Sequence, residues 1–212
     1  MNHPELNHPE LNDPELDRPA DVNHPADART RDDLAALVAA GARPKYLFFW
    51  GHQPQRDGRI GSGALSQWWP SAFTVDGVTY ASAEHWMMAG KARLFADSET
   101  EARILAARTP AEAKKLGRLV RGFDEERWAA ERFELVVAGS VAKFGQDKAL
   151  RDYLLGTGKR VLVEASPLDR VWGIGRAAHE LGAEDPQRWR GLNLLGFALM
   201  AAREQLAQPA SS

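Results

Sequence analysis

A β-hairpin signal that runs directly into a helix start is the feature that most limits how this chain can fold. Asp76 and Gly77 lie in the middle of residues 73–80, where apolar and polar side chains alternate. This pattern is typical of two strands joined by a two-residue turn. Ser82 follows almost at once and is a favourable N-cap residue. We therefore predict one helix over residues 82–95, with its start set by the hairpin.

One face of this predicted helix combines apolar and charged side chains. At 3.6 residues per turn, that face carries Glu84, Met88, Lys91 and Phe95. Such a face either hides an ion pair or lines a pocket, and Glu84 alone is also consistent with a simple helix start. The positive end of the helix dipole favours the ionised form of Glu84 at neutral pH.

Most of the remaining pattern is helical, with few and short strand signals. Strands are predicted only for the hairpin, for residues 46–50 and for the apolar run 161–165. Strands and helices do not alternate as βαβ units, which argues against a doubly wound nucleotide-binding fold. The sequence therefore predicts a mainly α fold, α+β only through minor strands, with a small β-hairpin or short sheet.

The first 30 residues differ from the rest of the chain. They repeat Asn-His-Pro-Glu-Leu and degenerate copies of it, with a proline every five or six residues. Proline blocks helix continuation, and too few apolar side chains are present to order the segment. We expect residues 1–30 to form a disordered tail and residues 31–208 to form a single domain. His3, His8 and His24 are expected to be solvated histidines.

Composition excludes several functions. The chain has no cysteine, which excludes disulfides, thiolate-zinc sites and cysteine nucleophiles. No apolar run approaches the roughly 20 residues of a membrane span, and we expect a cytoplasmic protein. Residues 34–212 contain 24 basic and 20 acidic side chains. This surplus is compatible with a phosphorylated ligand and too weak for a dedicated DNA-binding surface.

Three chemistry-bearing positions lie far apart in the sequence and share an aromatic setting. Glu84 lies among aromatic residues, and Trp128 lies on a predicted amphipathic helix. Asp169 stands three residues before Trp172 in a glycine-bearing loop. Carboxylates beside aromatic faces suit a reaction that develops positive charge on a planar ligand. Taken singly, each tryptophan is expected in the hydrophobic core rather than stacked on a ligand, and Asp169 suits a turn cap as well as a site residue.

A series of short motifs follows in a fixed order along residues 46–206. They are Phe49-Trp50-Gly51, Leu65-Ser66-Gln67-Trp68, Asp76-Gly77, Ser82-Ala83-Glu84-His85-Trp86, Lys91-Ala92, Lys115-Leu116-Gly117-Arg118, Trp128, Lys143-Phe144, Leu162-Val163-Glu164-Ala165-Ser166, Asp169-Arg170-Val171-Trp172-Gly173-Ile174-Gly175 and Trp189-Arg190-Gly191-Leu192-Asn193-Leu194-Leu195-Gly196. This order of motifs resembles that of the YbiA-like (NADAR) family. Gln67 stands where the family often has Asn, and Met88 where some members have Gln, which would remove a polar contact to the ligand.

The resemblance implies a compact, mostly helical YbiA-like domain that hydrolyses N-glycosidic bonds to ribose. Two substrate classes are associated with such proteins. One is the phosphorylated ribosylamino-pyrimidine intermediates of riboflavin biosynthesis, which is the leading expectation here. The other is ADP-ribose attached to guanine, free or in nucleic acid, whose removal reverses nucleobase ADP-ribosylation. A module that binds ADP-ribose or NAD without cleaving it is the alternative from another class.

The resemblance also implies roles for individual residues. Glu84 would stabilise the oxocarbenium-like cation and activate water. Asp169 would either protonate the leaving base or hold the ribose hydroxyls. No metal, cofactor, membrane or obligate protein partner is expected. The residues expected to bind the substrate are Trp50, Lys91, Arg118, Trp128 and Trp172. The tryptophans would stack on the base, and the cations would bind the phosphate.

Overall fold

The computed structural model describes residues 22–55 and 57–208. In this part of the chain the fold is mainly α with minor strands, which confirms the predicted fold class. The strands are β1 (Tyr46–Phe49), β2 (Phe73–Val75), β3 (Val78–Tyr80) and β4 (Val161–Glu164). The helices are α1 (Arg31–Ala39), α2 (Ala83–Leu94), α3 (Ser98–Leu105), α4 (Pro110–Gly117), α5 (Glu125–Gln146), α6 (Lys148–Gly156) and α7 (Leu194–Ala207).

The hairpin and the helix after it form as predicted. β2 and β3 pair antiparallel, and the turn residues Asp76 and Gly77 have φ values of 50° and 78°. Two successive positive φ values are those of the hairpin turn that matches strand twist. The Ser82 hydroxyl accepts a hydrogen bond from the backbone N–H of His85, so the predicted N-cap is confirmed.

The central element of the helical packing is α2. Nine of its twelve residues are buried, and it contacts α3, α4 and α5. Gly139 of α5 makes room for the Trp86 indole, because a Cβ at Gly139 would lie 2.2 Å from that ring. Trp86 Nε1 also donates a hydrogen bond to the Leu135 carbonyl at 2.7 Å. A helix enclosed on several sides holds Glu84 in a fixed place in its first turn.

A second, two-stranded sheet joins distant parts of the chain. β1 and β4 are parallel, and Phe49 pairs with Glu164 at the carboxyl ends of the two strands. The three residues of β4 before Glu164 are buried. Gly196 lets α7 approach β4 closely, because a Cβ there would lie 2.1 Å from the Leu162 carbonyl oxygen. One edge of this sheet therefore carries the Glu164 carboxyl.

The segment 22–30, which the sequence analysis assigns to the tail, packs against the domain. Ala28 is completely buried, and His24 caps a 3-10 turn at Pro25–Asp27. Thr30 forms a capping box at the start of α1. These local hydrogen bonds order residues 22–30, although the composition of this segment predicts disorder. The repeats in residues 1–21 lie outside the described residues. None of the described helices is long and apolar enough to cross a membrane.

Candidate active site

Several of the predicted site residues surround one small cavity. Its volume is about 40 Å³, which is room for about one water molecule and too little for a ribose or a base. Its walls come from the loop before β2, α2, α4, the end of β4, the loop after β4 and the start of α7. The lining residues are Ser66, Gln67, Trp68, Glu84, Met87, Lys114, Glu164, Asp169, Trp172 and Leu195.

Glu84 reaches this cavity from the first turn of α2, with only 2% of its surface exposed. Its backbone N–H donates a hydrogen bond to the Gln67 carbonyl oxygen at 3.0 Å. This bond ties the helix start to the cavity loop. The carboxyl oxygen Oε1 has no hydrogen-bond partner among the described residues. A buried oxygen of this kind can accept a hydrogen bond from a ligand or a water molecule.

Burial raises the pKa of Glu84 from 4.5 to about 7. The charge of Lys114 and a hydrogen bond from the Trp68 side chain lower this pKa, and the charge of Asp169 raises it. The expectation that the helix N-terminus keeps Glu84 ionised therefore needs correction, because desolvation outweighs the dipole. Both protonation states are populated near pH 7, and a carboxyl of this kind can exchange a proton during a reaction.

Asp169 caps a turn and also lines the cavity. Its Oδ1 accepts hydrogen bonds from the backbone N–H groups of Val171 and Trp172, at 2.9 and 2.8 Å. Asp169 can therefore act as a turn cap and still be a residue of the site. The capping bonds also place the half-buried indole of Trp172 at the cavity wall.

The loop that carries Asp169 is held by the segment leading into α7. Asn193 is completely buried and adopts a left-handed conformation, with φ at 55°. Its Oδ1 accepts a hydrogen bond from the Glu164 N–H, and its Nδ2 donates to the Leu162 carbonyl, each at 2.9 Å. The Asn193 N–H donates to the Gly173 carbonyl at 3.1 Å. Asn193 thus joins β4 through its side chain and the loop through its backbone, directly before α7.

Glu164 is a candidate site residue that the sequence analysis did not select. Its carboxyl lines the cavity, and Oε2 has no hydrogen-bond partner among the residues that the structure describes. Burial raises the pKa of Glu164 to about 8, and the negative charge of Asp169 acts in the same direction. The sequence feature that could have identified Glu164 is an acid at the carboxyl end of a buried strand, where ligand sites are frequent in parallel sheets.

Two cations of the α4 region face this group of acids. Lys114 lines the cavity, with Nζ 5.9 Å from the Trp68 ring centroid. Arg118, the C-cap residue of α4, is exposed, and its charge lowers the pKa of Glu84. The sequence analysis selected Arg118 and missed Lys114, although an i, i+4 spacing places both on one side of a helix. Both side chains bring positive charge to the side of the acids.

The other predicted binding residues, Lys91, Trp128 and Trp50, do not line this cavity. Lys91 Nζ lies 3.9 Å from the Phe123 ring centroid and 5.7 Å from that of Trp128, and burial lowers the pKa of Lys91. Trp128 is 7% exposed and packs in the hydrophobic core. Trp50 directly follows β1, and 66% of its surface is exposed. Trp128 therefore contributes to the core, and Trp50 to the surface.

Lys143 of α5 supports the cavity loop from inside the protein. It is 2% exposed, and its Nζ donates hydrogen bonds to the carbonyl oxygens of Ala64 and Ser66, at 2.7 and 2.8 Å. Burial lowers the pKa of Lys143 to about 7. The two hydrogen bonds fix the backbone directly before Gln67 and Trp68, which both line the cavity.

Within residues 22–55 and 57–208, no group of three or more histidine or acidic side chains is arranged to hold a metal ion. A larger groove of about 680 Å³ lies between α5 and α7. Its walls contain none of the three cavity carboxyls, so the chemistry-bearing groups and this groove are separate features.

Comparison with known proteins connects this arrangement to one family. The NADAR domain matches residues 48–207. N-glycosidase R617 of Acanthamoeba polyphaga mimivirus is 39% identical over 169 residues, which cover 77% of this chain and 98% of that protein. Riboflavin biosynthesis protein VVA0006 of Vibrio vulnificus is 32% identical over 148 residues, or 70% of this chain and 36% of that protein. The NMR structure of Escherichia coli YbiA has a TM-score of 0.60 and 28% identity, and the match covers 78% of this chain and 87% of that chain.

The mainly helical fold is thus of the YbiA type. The chain belongs to the NADAR family, a family of N-glycosidases. The resemblance predicted from the motif order is confirmed.

Proposed function

We propose that the protein hydrolyses the ribosyl C–N bond of phosphorylated ribosylamino-pyrimidines, the early intermediates of riboflavin biosynthesis. The observation that carries this proposal is the buried Glu84 carboxyl at a water-sized cavity beside Asp169, with one oxygen that has no partner in the described part of the chain. Similarity to a protein named for riboflavin biosynthesis supports the choice of substrate. A cytoplasmic location stays a prediction.

The chemistry requires a carboxylate next to the sugar. Breaking a ribosyl C–N bond builds an oxocarbenium-like cation at the anomeric carbon, which a nearby negative charge stabilises. A group with a pKa near the working pH is well suited to accept a proton from the attacking water. In its ionised form Glu84 meets both requirements, since burial raises its pKa to about 7. The products are the free base and ribose 5-phosphate.

The ribose and the base are too large for the cavity itself and would bind at its mouth. The half-buried indoles of Trp68 and Trp172 offer faces for stacking on the base. Lys114 and Arg118 supply positive charge for the phosphate. Asp169 commits Oδ1 to the loop backbone, which leaves Oδ2 to hold a ribose hydroxyl.

A second candidate is the removal of ADP-ribose from guanine. Lys91, whose ammonium lies near the rings of Phe123 and Trp128, is seven residues after Glu84, about 10 Å further along α2. A ligand with two phosphates and a second nucleoside is long enough to approach both positions, whereas ribose 5-phosphate is not. This second group of aromatic and basic side chains therefore favours the longer substrate.

Incubation of the purified protein with each candidate, followed by chromatography of the released base, tests the proposal. We expect release of the pyrimidine by the wild type and a loss of at least about 100-fold in Glu84→Gln, with nearly unchanged ligand affinity. Glu131→Gln, at an exposed carboxyl on α5, is the matched control.

Three outcomes would contradict the proposal in different ways. Wild-type turnover by Glu84→Gln would remove the assigned role of this carboxyl. Cleavage of ADP-ribosyl-guanine alone would select the second candidate. Binding of ADP-ribose without cleavage of either compound would make the protein a binding module.

A further inference from the structure

The Glu164 backbone is held by the loop after β4 and by the segment before α7. Its N–H donates to Asn193 Oδ1, and its carbonyl oxygen accepts from the Ile174 N–H, each at 2.9 Å. Gly173 lies so close that a Cβ there would be 2.8 Å from the Glu164 carbonyl oxygen. The backbone of Glu164 is thus fixed on both sides, and its side chain lines the cavity.

This arrangement costs stability, because a buried carboxyl oxygen without a hydrogen-bond partner destabilises a fold. Glu164 Oε2 is such an atom among the described residues, and Glu84 Oε1 is another in the same cavity. Two orphaned carboxyl oxygens at one water-sized cavity indicate that a ligand or water completes their hydrogen bonds.

The surroundings favour the protonated form of Glu164. The loop after β4 contributes the charge of Asp169 and α2 that of Glu84, both of which raise the pKa of Glu164, while Lys114 of α4 lowers it. Together with burial they bring this pKa to about 8. Asp169, in contrast, uses Oδ1 to accept two backbone hydrogen bonds. Of the two acids on the β4 side of the cavity, Glu164 is the one suited to donate a proton.

We propose that Glu164 is the general acid of the reaction and donates its proton to the glycosidic nitrogen as the C–N bond breaks. This inference rests on the proposed hydrolysis and assigns the base role to Glu84 and the positioning role to Asp169. It also narrows the substrate class. An exocyclic amine is a very poor leaving group as an anion, so N-ribosides joined through such a nitrogen depend on an acid.

The step balances in atoms and charge. The water oxygen forms a bond to the anomeric carbon and gives a proton to the Glu84 carboxylate. The electron pair of the C–N bond stays on the nitrogen, which takes the proton of Glu164 and leaves as a neutral amine. Glu84 is then protonated and Glu164 ionised. Return of one proton from Glu84 to Glu164, through water in the cavity that both line, restores the starting state.

Leaving-group dependence tests this assignment. Wild type, Glu164→Gln and the control Glu131→Gln are compared on the 5-phosphates of N-ribosyl-aniline and N-ribosyl-4-nitroaniline. We expect Glu164→Gln to lose about 10²–10⁴-fold in kcat on the aniline compound. The loss should be below about tenfold on the nitroaniline compound, whose amine leaves without full protonation. Wild-type kcat/KM should fall above about pH 8, and this decline should be absent in Glu164→Gln.

Equal losses on both compounds, or a retained decline above pH 8, would overturn the assignment and leave Glu164 as a structural residue. Circular dichroism establishes that Glu164→Gln is folded. If it is not, Glu164→Asp replaces it, and this variant must keep the alkaline decline. Failure of the wild type to cleave any N-riboside would instead overturn the proposed function, so the two failures are distinguishable.

Discussion

Replacement of Glu84 by glutamine should stabilise the fold at alkaline pH, because the folded protein disfavours the ionised carboxyl. Burial raises the pKa of Glu84 from 4.5 to about 7. Between these two values the folded state binds more protons than the unfolded state, so the free energy of unfolding decreases as the pH rises. Glutamine matches neutral glutamic acid in size and does not ionise. The variant should therefore lack this decrease.

The size of the effect follows from the pKa difference. One pKa unit corresponds to about 1.4 kcal/mol, and the change from 4.5 to about 7 amounts to about 3 kcal/mol. This difference is complete above pH 7 and vanishes below pH 4.5. For a domain of this size, 1 kcal/mol shifts Tm by about 2–4 °C. Glu84→Gln should therefore melt about 6–12 °C above the wild type at pH 8 and at nearly the same temperature at pH 4.5.

Urea unfolding followed by circular dichroism, at four pH values from 4.5 to 8, measures this directly. Glu131→Gln should follow the wild type at every pH, because its carboxyl is exposed. Parallel curves for wild type and Glu84→Gln over the whole range would refute the reasoning. Such a result would mean that the carboxyl is solvated in the folded protein, and the catalytic argument built on its burial would fail with it.

Five further substitutions, at four positions, separate structural from chemical roles. Lys143→Met removes the donor from two carbonyl oxygens and should lower the free energy of unfolding by about 2 kcal/mol, measured in urea. Trp128→Ala should lower the free energy of unfolding by about 3–5 kcal/mol, because this side chain is in the core. Trp50→Ala should change it by no more than about 0.5 kcal/mol. Thermal unfolding compares the two variants, and similar losses of stability would contradict their different burial. Asp169→Asn keeps an acceptor for the loop and should resist limited proteolysis as the wild type does. Asp169→Ala leaves two backbone N–H groups without a hydrogen-bond acceptor and should be cleaved faster. Both variants should lose activity.

Local features were predictable because neighbouring residues alone decide them. The turn at Asp76 and Gly77, the N-cap at Ser82 and the helix that follows depend on side-chain hydrogen bonds and backbone preferences within a few residues. The order of the motifs also identified the family. It also selected Glu84 and Asp169, which the structure brings to one cavity, while their catalytic roles stay predictions.

The charge state of the cavity could not be predicted in this way. Pairing of Phe49 with Glu164 joins strands more than 100 residues apart. The packing of α4 against α2 brings Lys114 to the same cavity as Glu84 and Glu164. Composition and spacing placed Glu84 at a helix N-terminus, where a carboxylate is stabilised, whereas burial by distant segments reverses that preference.

The sequence by itself therefore determined the hairpin, the N-cap and helix that follow it, the mainly helical fold class and the family. Only the tertiary structure decided which acids share one water-sized space and which of them keep their protons. The physical reason is that desolvation and charge interactions act through space, among groups that the chain order does not place side by side.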